Sequence, residues 1–130
     1  MIVRQAANVL DLLEYFARAK KPANLAEISA AMGWPRSSTF NLLTTLAQRG
    51  FLYEPRPRGG YYPTPRWRSL LRCIAETELL PESLCKAVDD LAQETGETVA
   101  IAAPAGTNAV FLYVVQSTAA VRFSAEVGYQ

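Results

Sequence analysis

NLAEISAAMGWPRSSTFNLLTTLAQRG, residues 24–50, is the stretch whose reading decides the fold. It holds two short helical patterns broken at Met32-Gly33-Trp34. Asn24 can cap the first helix, and Glu27 three residues on completes a capping-box pattern. Leu25, Ile28 and Met32 then face inward. Gly33 suits the left-handed position that ends such a helix. Pro35 suits the first turn of the next one, where its missing N–H costs nothing. Trp34 before it is extended, as a residue preceding proline prefers. In the second helix Thr39, Leu42, Leu43 and Leu46 fall at i, i+3, i+4 and i+7 and form the core face. Arg36, Ser37, Ser38, Phe40, Asn41, Thr44 and also Thr45 are left for the opposite face.

Outward from this pair, Val9, Leu10, Leu12, Leu13, Tyr15 and Phe16 predict an earlier helix with a period near 3.6. Lys20, Lys21 and Pro22 end it. After Gly50, Phe51-Leu52-Tyr53-Glu54 alternates as a strand does, and residues 55–60 form a turn carrying Arg56 and Arg58. Tyr61-Tyr62-Pro63-Thr64 is the return strand, with Pro63 on an edge that needs no ladder donor. A further helix then sets Trp67, Leu70, Leu71 and Ile74 on one side and Arg66, Arg68 and Arg72 on the other. Another begins at Pro81, turns Leu84, Val88 and Leu91 inward, and stops at Gly96. Strands follow at 98–103 and 109–115 around a loop of Pro104-Ala105-Gly106-Thr107-Asn108, with a third strand near 120–126.

Composition narrows the function. The chain has 130 residues, half of them apolar, enough for one domain or two small ones. No run approaches the roughly 18 apolar residues of a membrane span, and Met1-Ile2-Val3-Arg4 leads straight into an amphipathic pattern instead of a signal peptide. A cytoplasmic protein is expected. There is no histidine, and Cys73 and Cys85 lie in helical patterns without ligand-type neighbours. Zinc sites and histidine-based catalysis within one chain are thereby excluded. No glycine-rich phosphate loop is present, and no metal or other cofactor is expected. The net charge of +1 conceals a division. Up to Arg72 there are eleven basic residues against four acidic; beyond it, two basic against eight acidic. A DNA phosphate field would hold the first part and repel the second.

Together these features describe a helix-turn-helix with a wing. Arg36 can pair bidentately with guanine or clamp a phosphate, and Asn41 one turn on can read adenine. Ser37 and Ser38 can bond phosphate or a base edge, and Phe40 can pack on a thymine methyl. Thr44 continues that face, while Arg56 and Arg58 ride on the wing. The bland alternatives are a solvated helix face and an ordinary charged turn. Arg66, Arg68 and Arg72 fit the wet side of a linker helix equally well.

From Val9 to its end the chain resembles an IclR-family transcriptional regulator. VLDLLEYF and NLAEISAAMGWPRSSTFNLLTTLAQRGFLY carry the likeness in the first half, and LAQETGETVAIAAPAG with AVFLYVVQS carries it in the second. The resemblance implies an α+β chain: a winged helix-turn-helix over 1–64, a linker helix over 65–80, and part of a GAF-like effector-binding domain over 81–130. It implies a repressor or activator, here expected to repress, that grips a palindromic double-stranded DNA operator as a homodimer or higher homo-oligomer. It also implies a small, often carboxylated effector, provided that the remainder of the effector domain is present. Effector-binding residues have no positions here to map onto, so sensing is expected to be absent or impaired. Two departures stand out: Asn41 replaces a residue that is usually basic, and YYPTPRW is unusually rich in proline. The rival readings are a winged helix that binds protein, an effector-insensitive shortened regulator, an enzyme, and a second half that swaps strands.

Overall fold

The computed structural model describes residues 1–77, 79–121 and 124–130. It divides into two compact units, Met1–Glu76 and Thr77–Gln130.

The first unit begins with α1, Arg4–Ala19, whose Leu12 and Phe16 are buried. Lys20 ends it in the left-handed region at φ 54°, with its N–H donating to the Phe16 carbonyl. Leu10, placed on the stripe by periodicity, points outward. α2, Leu25–Met32, starts on the expected capping box: the Glu27 N–H donates to Asn24 Oδ1 at 2.8 Å and the Asn24 N–H to Glu27 Oε1 at 3.4 Å. Two otherwise orphaned donors are thus satisfied reciprocally. Gly33 closes α2 at φ 67°. α3, Arg36–Gln48, follows with Pro35 at its N-cap, one position earlier than expected.

The core of this unit is Leu12, Phe16, Ala23, Ile28, Leu43, Leu46 and Leu52, with Leu42, Trp34 and Trp67 packed against it. Burying a leucine or isoleucine side chain stabilises by about 1.5–3 kcal/mol. That burial, more than helix propensity, holds the eight-residue α2 in place. The wing strands are shorter than the alternation suggested. β1 is Leu52–Tyr53 and β2 is Tyr62–Pro63, antiparallel, with Leu52 opposite Pro63 and Tyr53 opposite Tyr62. A third backbone segment joins them: Ala23 and Tyr61 exchange both main-chain hydrogen bonds, at 3.0 and 2.8 Å. The wing is therefore anchored to the residue just before the α2 cap.

α4, Arg66–Ala75, is attached through Trp67. The indole Nε1–H donates to the Phe51 carbonyl at 2.9 Å, and the two rings lie 4.4 Å apart between centroids. Arg66 stands over the Phe51 ring at 5.2 Å, a cation–π contact. The rest of the expected apolar stripe is uncovered: Leu70, Leu71 and Ile74 are exposed, and no residue of α4 is buried.

The second unit is α5, Glu82–Thr95, against the hairpin of β3, Val99–Ala105, and β4, Asn108–Val115. Val88 and Ala92 face in, whereas Leu84 and Leu91 are largely exposed. The buried stripe is thus rotated from the one expected, toward Cys85, Val88 and Ala92 at i, i+3 and i+7. The hairpin loop is only Gly106-Thr107. Gly106 at φ 60° takes the positive-φ position of a two-residue turn, and Pro104 falls inside β3 opposite Ala109. A bulge between Ile101 and Ala102 leaves Leu112 as the extra residue of β4. Of the third strand expected near 120–126, Arg122 and Phe123 lie outside the described residues, and the remaining five are not in a strand. Strand-like pairing occurs later instead: the Phe111 N–H donates to the Tyr129 carbonyl and the Gly128 N–H to the Phe111 carbonyl. The chain is α+β, with five helices and two small antiparallel sheets among the described residues.

Candidate nucleic-acid interface

The candidate interface is built on α3. Its inner side is fixed by Thr39, Leu43 and Leu46, all buried. Thr39 Oγ1 donates to the Pro35 carbonyl at 2.8 Å, and Ser38 Oγ donates to the same oxygen at 3.1 Å. The first turn is therefore held by two hydroxyls in addition to its backbone. On the other side Arg36, Ser37, Ser38, Phe40 and Asn41 are exposed, and Thr44 is half-buried. Phe40 is 52% exposed, leaving its ring open to a partner.

Before α3, Ser29 sets the turn. Its buried hydroxyl donates to the Trp34 carbonyl at 2.6 Å, and the Trp34 N–H donates to the Ser29 carbonyl at 3.1 Å. This clasp fixes the angle between α2 and α3. Sequence reading missed it, because a serine at this spacing has no signature distinct from a solvated one.

The wing turn carries Arg56 and Arg58, both exposed. Arg58 takes a left-handed backbone at φ 59°, and its N–H donates to the Glu54 carboxylate at 3.2 Å. Gly60 at φ 95° is buried where the wing meets Ala23. Among the described residues the guanidinium groups of Arg36, Arg56 and Arg58 have neither an ion-pair nor a hydrogen-bond partner. Each is an unpaired cation on a unit with excess positive charge, suited to an anion. Arg66 differs, being engaged with Phe51.

No group of three or more His, Cys, Asp or Glu side chains placed to hold a metal ion occurs among the described residues. No helix among them is long and apolar enough to cross a membrane. In the second unit the Tyr113 hydroxyl donates to Asp89 Oδ1 at 2.7 Å. That bond to a carboxylate pushes the phenol pKa above its ordinary value. Ser117 is buried and ties the end of β4 to the end of α5, its Oγ donating to the Gly96 carbonyl at 2.6 Å.

Three helices, a capped tight turn and a short β-hairpin tied back to the segment before α2 define a winged helix-turn-helix. Residues 5–56 match the family model of the IclR helix-turn-helix domain. The likeness to IclR-family proteins continues well past this segment. The chain is 28% identical over 128 residues to the transcriptional repressor IclR of Escherichia coli, covering 97% of this chain and 47% of that protein. A crystal structure of an IclR-family regulator from Rhodococcus sp. is similar with a TM-score of 0.52 at 29% identity, over 97% of this chain and 49% of the other. An IclR-family regulator from Brucella abortus has a TM-score of 0.67 at 22% identity, over 99% and 49%, and shows the common fold. The chain thus spans about half the length of the relatives it matches.

Proposed function

We propose that the protein is a sequence-specific DNA-binding transcription regulator of the IclR type that acts in the cytoplasm as a repressor. In this reading it is a binding protein and not a catalyst. α3 enters the major groove, where Arg36, Ser37, Ser38, Phe40, Asn41 and Thr44 meet bases and phosphates, while Arg56 and Arg58 follow the backbone from the wing. The observation that carries the reading is the division of α3. One side is locked by Thr39, Leu43 and Leu46, and the other offers the unpaired guanidinium of Arg36, the hydroxyls of Ser37 and Thr44, the Asn41 amide and an exposed ring, with Ser38 Oγ bonded only within the helix, to the Pro35 carbonyl.

The domain division proposed is a winged helix over 1–64, a linker helix over 65–80 and part of an effector-binding domain over 81–130. A homodimer on a palindromic operator is part of this reading, supported by the uncovered apolar surface of α4, with Leu70, Leu71 and Ile74 exposed, and by Leu10 on α1. The second unit offers one helix against a two-stranded hairpin, so these 130 residues by themselves are proposed to bind DNA without answering to a small molecule.

Selection of duplexes from a randomised pool tests this reading. The expected product is an inverted repeat whose half-sites are centred about 34 Å apart or a multiple of that. Recovery of no duplex above background would reject it in favour of a protein-binding winged helix.

A further inference from the structure

We propose that Gln5 and Asn8 of α1 share one DNA-contacting cleft with α3, and that the cleft seats the sugar-phosphate backbone flanking the bases read by α3. This rests on the DNA reading above and extends its surface to a helix that neither the sequence pattern nor the family match assigns to it.

The cleft has a volume of about 530 Å³ and lies within the first unit. Ser38, Asn41, Leu42 and Thr45 form its α3 wall; Gln5, Ala6, Asn8 and Val9 form its α1 wall. The α3 residues fall at i, i+3, i+4 and i+7, along one edge of the helix. That edge includes Ser38 and Asn41 of the candidate interface, so a ligand lying along these two residues also faces α1. Val9 and Leu42 are half-buried and pack against the core, and the small side chain of Ala6 leaves room between the walls.

The chemistry of the lining selects the occupant. No charged side chain lines the cleft. Three carboxamides do, those of Gln5, Asn8 and Asn41, and none has a partner among the described residues. Each offers two N–H donors and a carbonyl acceptor. A small charged ligand would find no counter-ion here. A phosphodiester strand needs none from the cleft itself, since neutral amides commonly donate to phosphate oxygens. Unpaired amides beside an apolar floor are suited to holding a strand in register.

The test uses the full chain, a duplex recovered by selection and a random-sequence duplex of equal length. Gln5→Ala and Asn8→Ala are each expected to weaken binding roughly three- to tenfold, the loss expected for a hydrogen bond or two. The factor should be alike on both duplexes, because backbone contacts carry no sequence information. The slope of log affinity against log salt should not change, because a neutral donor displaces no counter-ion. Ala6→Leu, which fills the gap and suits a helix, should weaken binding at least as much, with the thermal midpoint unchanged. If Gln5→Ala, Asn8→Ala and Ala6→Leu all bind as wild type while Arg36→Ala binds weakly, the cleft assignment is wrong and the DNA reading stands. A loss confined to the selected duplex would overturn the backbone assignment. Failure of the wild-type chain to bind either duplex would overturn the DNA reading, and the cleft with it.

Discussion

At the scale of single residues, two glycines with similar backbones have different consequences. Gly60 is at φ 95°, and a Cβ there would lie 2.6 Å from the Ala23 carbonyl carbon and 2.9 Å from the Asn24 nitrogen, both backbone atoms that cannot step aside. Gly33 is at φ 67° with nothing within 4 Å. Gly60→Ala is therefore expected to cost about 2–4 kcal/mol, combining strain with a steric clash. Gly33→Ala should cost about 1–2 kcal/mol, the left-handed penalty alone. Urea unfolding of both variants measures the difference; equal losses would mean that the contact between the wing and Ala23 carries no stability. Gly33 was legible from the sequence because a helix end demands it. Gly60 was readable only as a turn residue, since its neighbour across the sheet is 37 positions away and no local pattern points to it. In the second unit, Tyr113 gives a residue-scale effect of pH. Its phenol pKa is raised by Asp89, so the folded state retains that proton to higher pH than the unfolded chain does. The contribution is fully present below the ordinary phenol range of about 10 and is lost as pH rises through the folded value. Ultraviolet titration of wild type against Tyr113→Phe should show one phenol titrating late, and Asp89→Ala should return it toward the ordinary range.

At the scale of elements, the helices were legible wherever a cap or an apolar period spoke clearly. The Asn24–Glu27 box, the inward set of α3 and the stop at Gly33 follow from local geometry, and the structure has each of them. Periodicity indicated which side of a helix is apolar but not whether anything covers it. Leu70, Leu71 and Ile74 on α4, and Leu84 and Leu91 on α5, have the right spacing and remain exposed. In both cases, coverage depends on a surface that the helix pattern does not contain. α4 is held mainly by Trp67, whose N–H reaches the Phe51 carbonyl. That carbonyl also accepts from the Thr64 N–H at 3.0 Å, so it stays paired when the indole is lost. Trp67→Phe should therefore cost only about 1 kcal/mol, whereas Trp67→Ala should release the helix. Amide exchange by mass spectrometry is the appropriate measurement: residues 66–75 of Trp67→Ala should exchange faster than wild type, with α2 and α3 unaffected. Unchanged exchange in α4 would show that it is held by something other than Trp67.

At the scale of the whole molecule, the division of charge matches the division of the fold. The basic part of the sequence ends at Arg72, four residues before the first compact unit does. The helix-turn-helix was readable because its parts are local and strongly punctuated, and the cleft between α1 and α3 was not, because it joins residues 29 to 40 positions apart. If α4 and α1 supply a dimer surface, Leu71→Glu and Ile74→Glu should shift the chain toward monomer in sedimentation and weaken DNA binding, while leaving the thermal midpoint close to wild type. A chain that sediments as a monomer before substitution would rule that surface out. The central claim is that the outward face of α3 engages DNA, and the salt dependence of affinity tests it most directly. Log affinity for the selected duplex should fall steeply with log salt for the wild-type chain, and Arg36→Ala should bind more weakly with a slope shallower by about one. An Arg36→Ala chain with wild-type affinity and wild-type slope would contradict the claim.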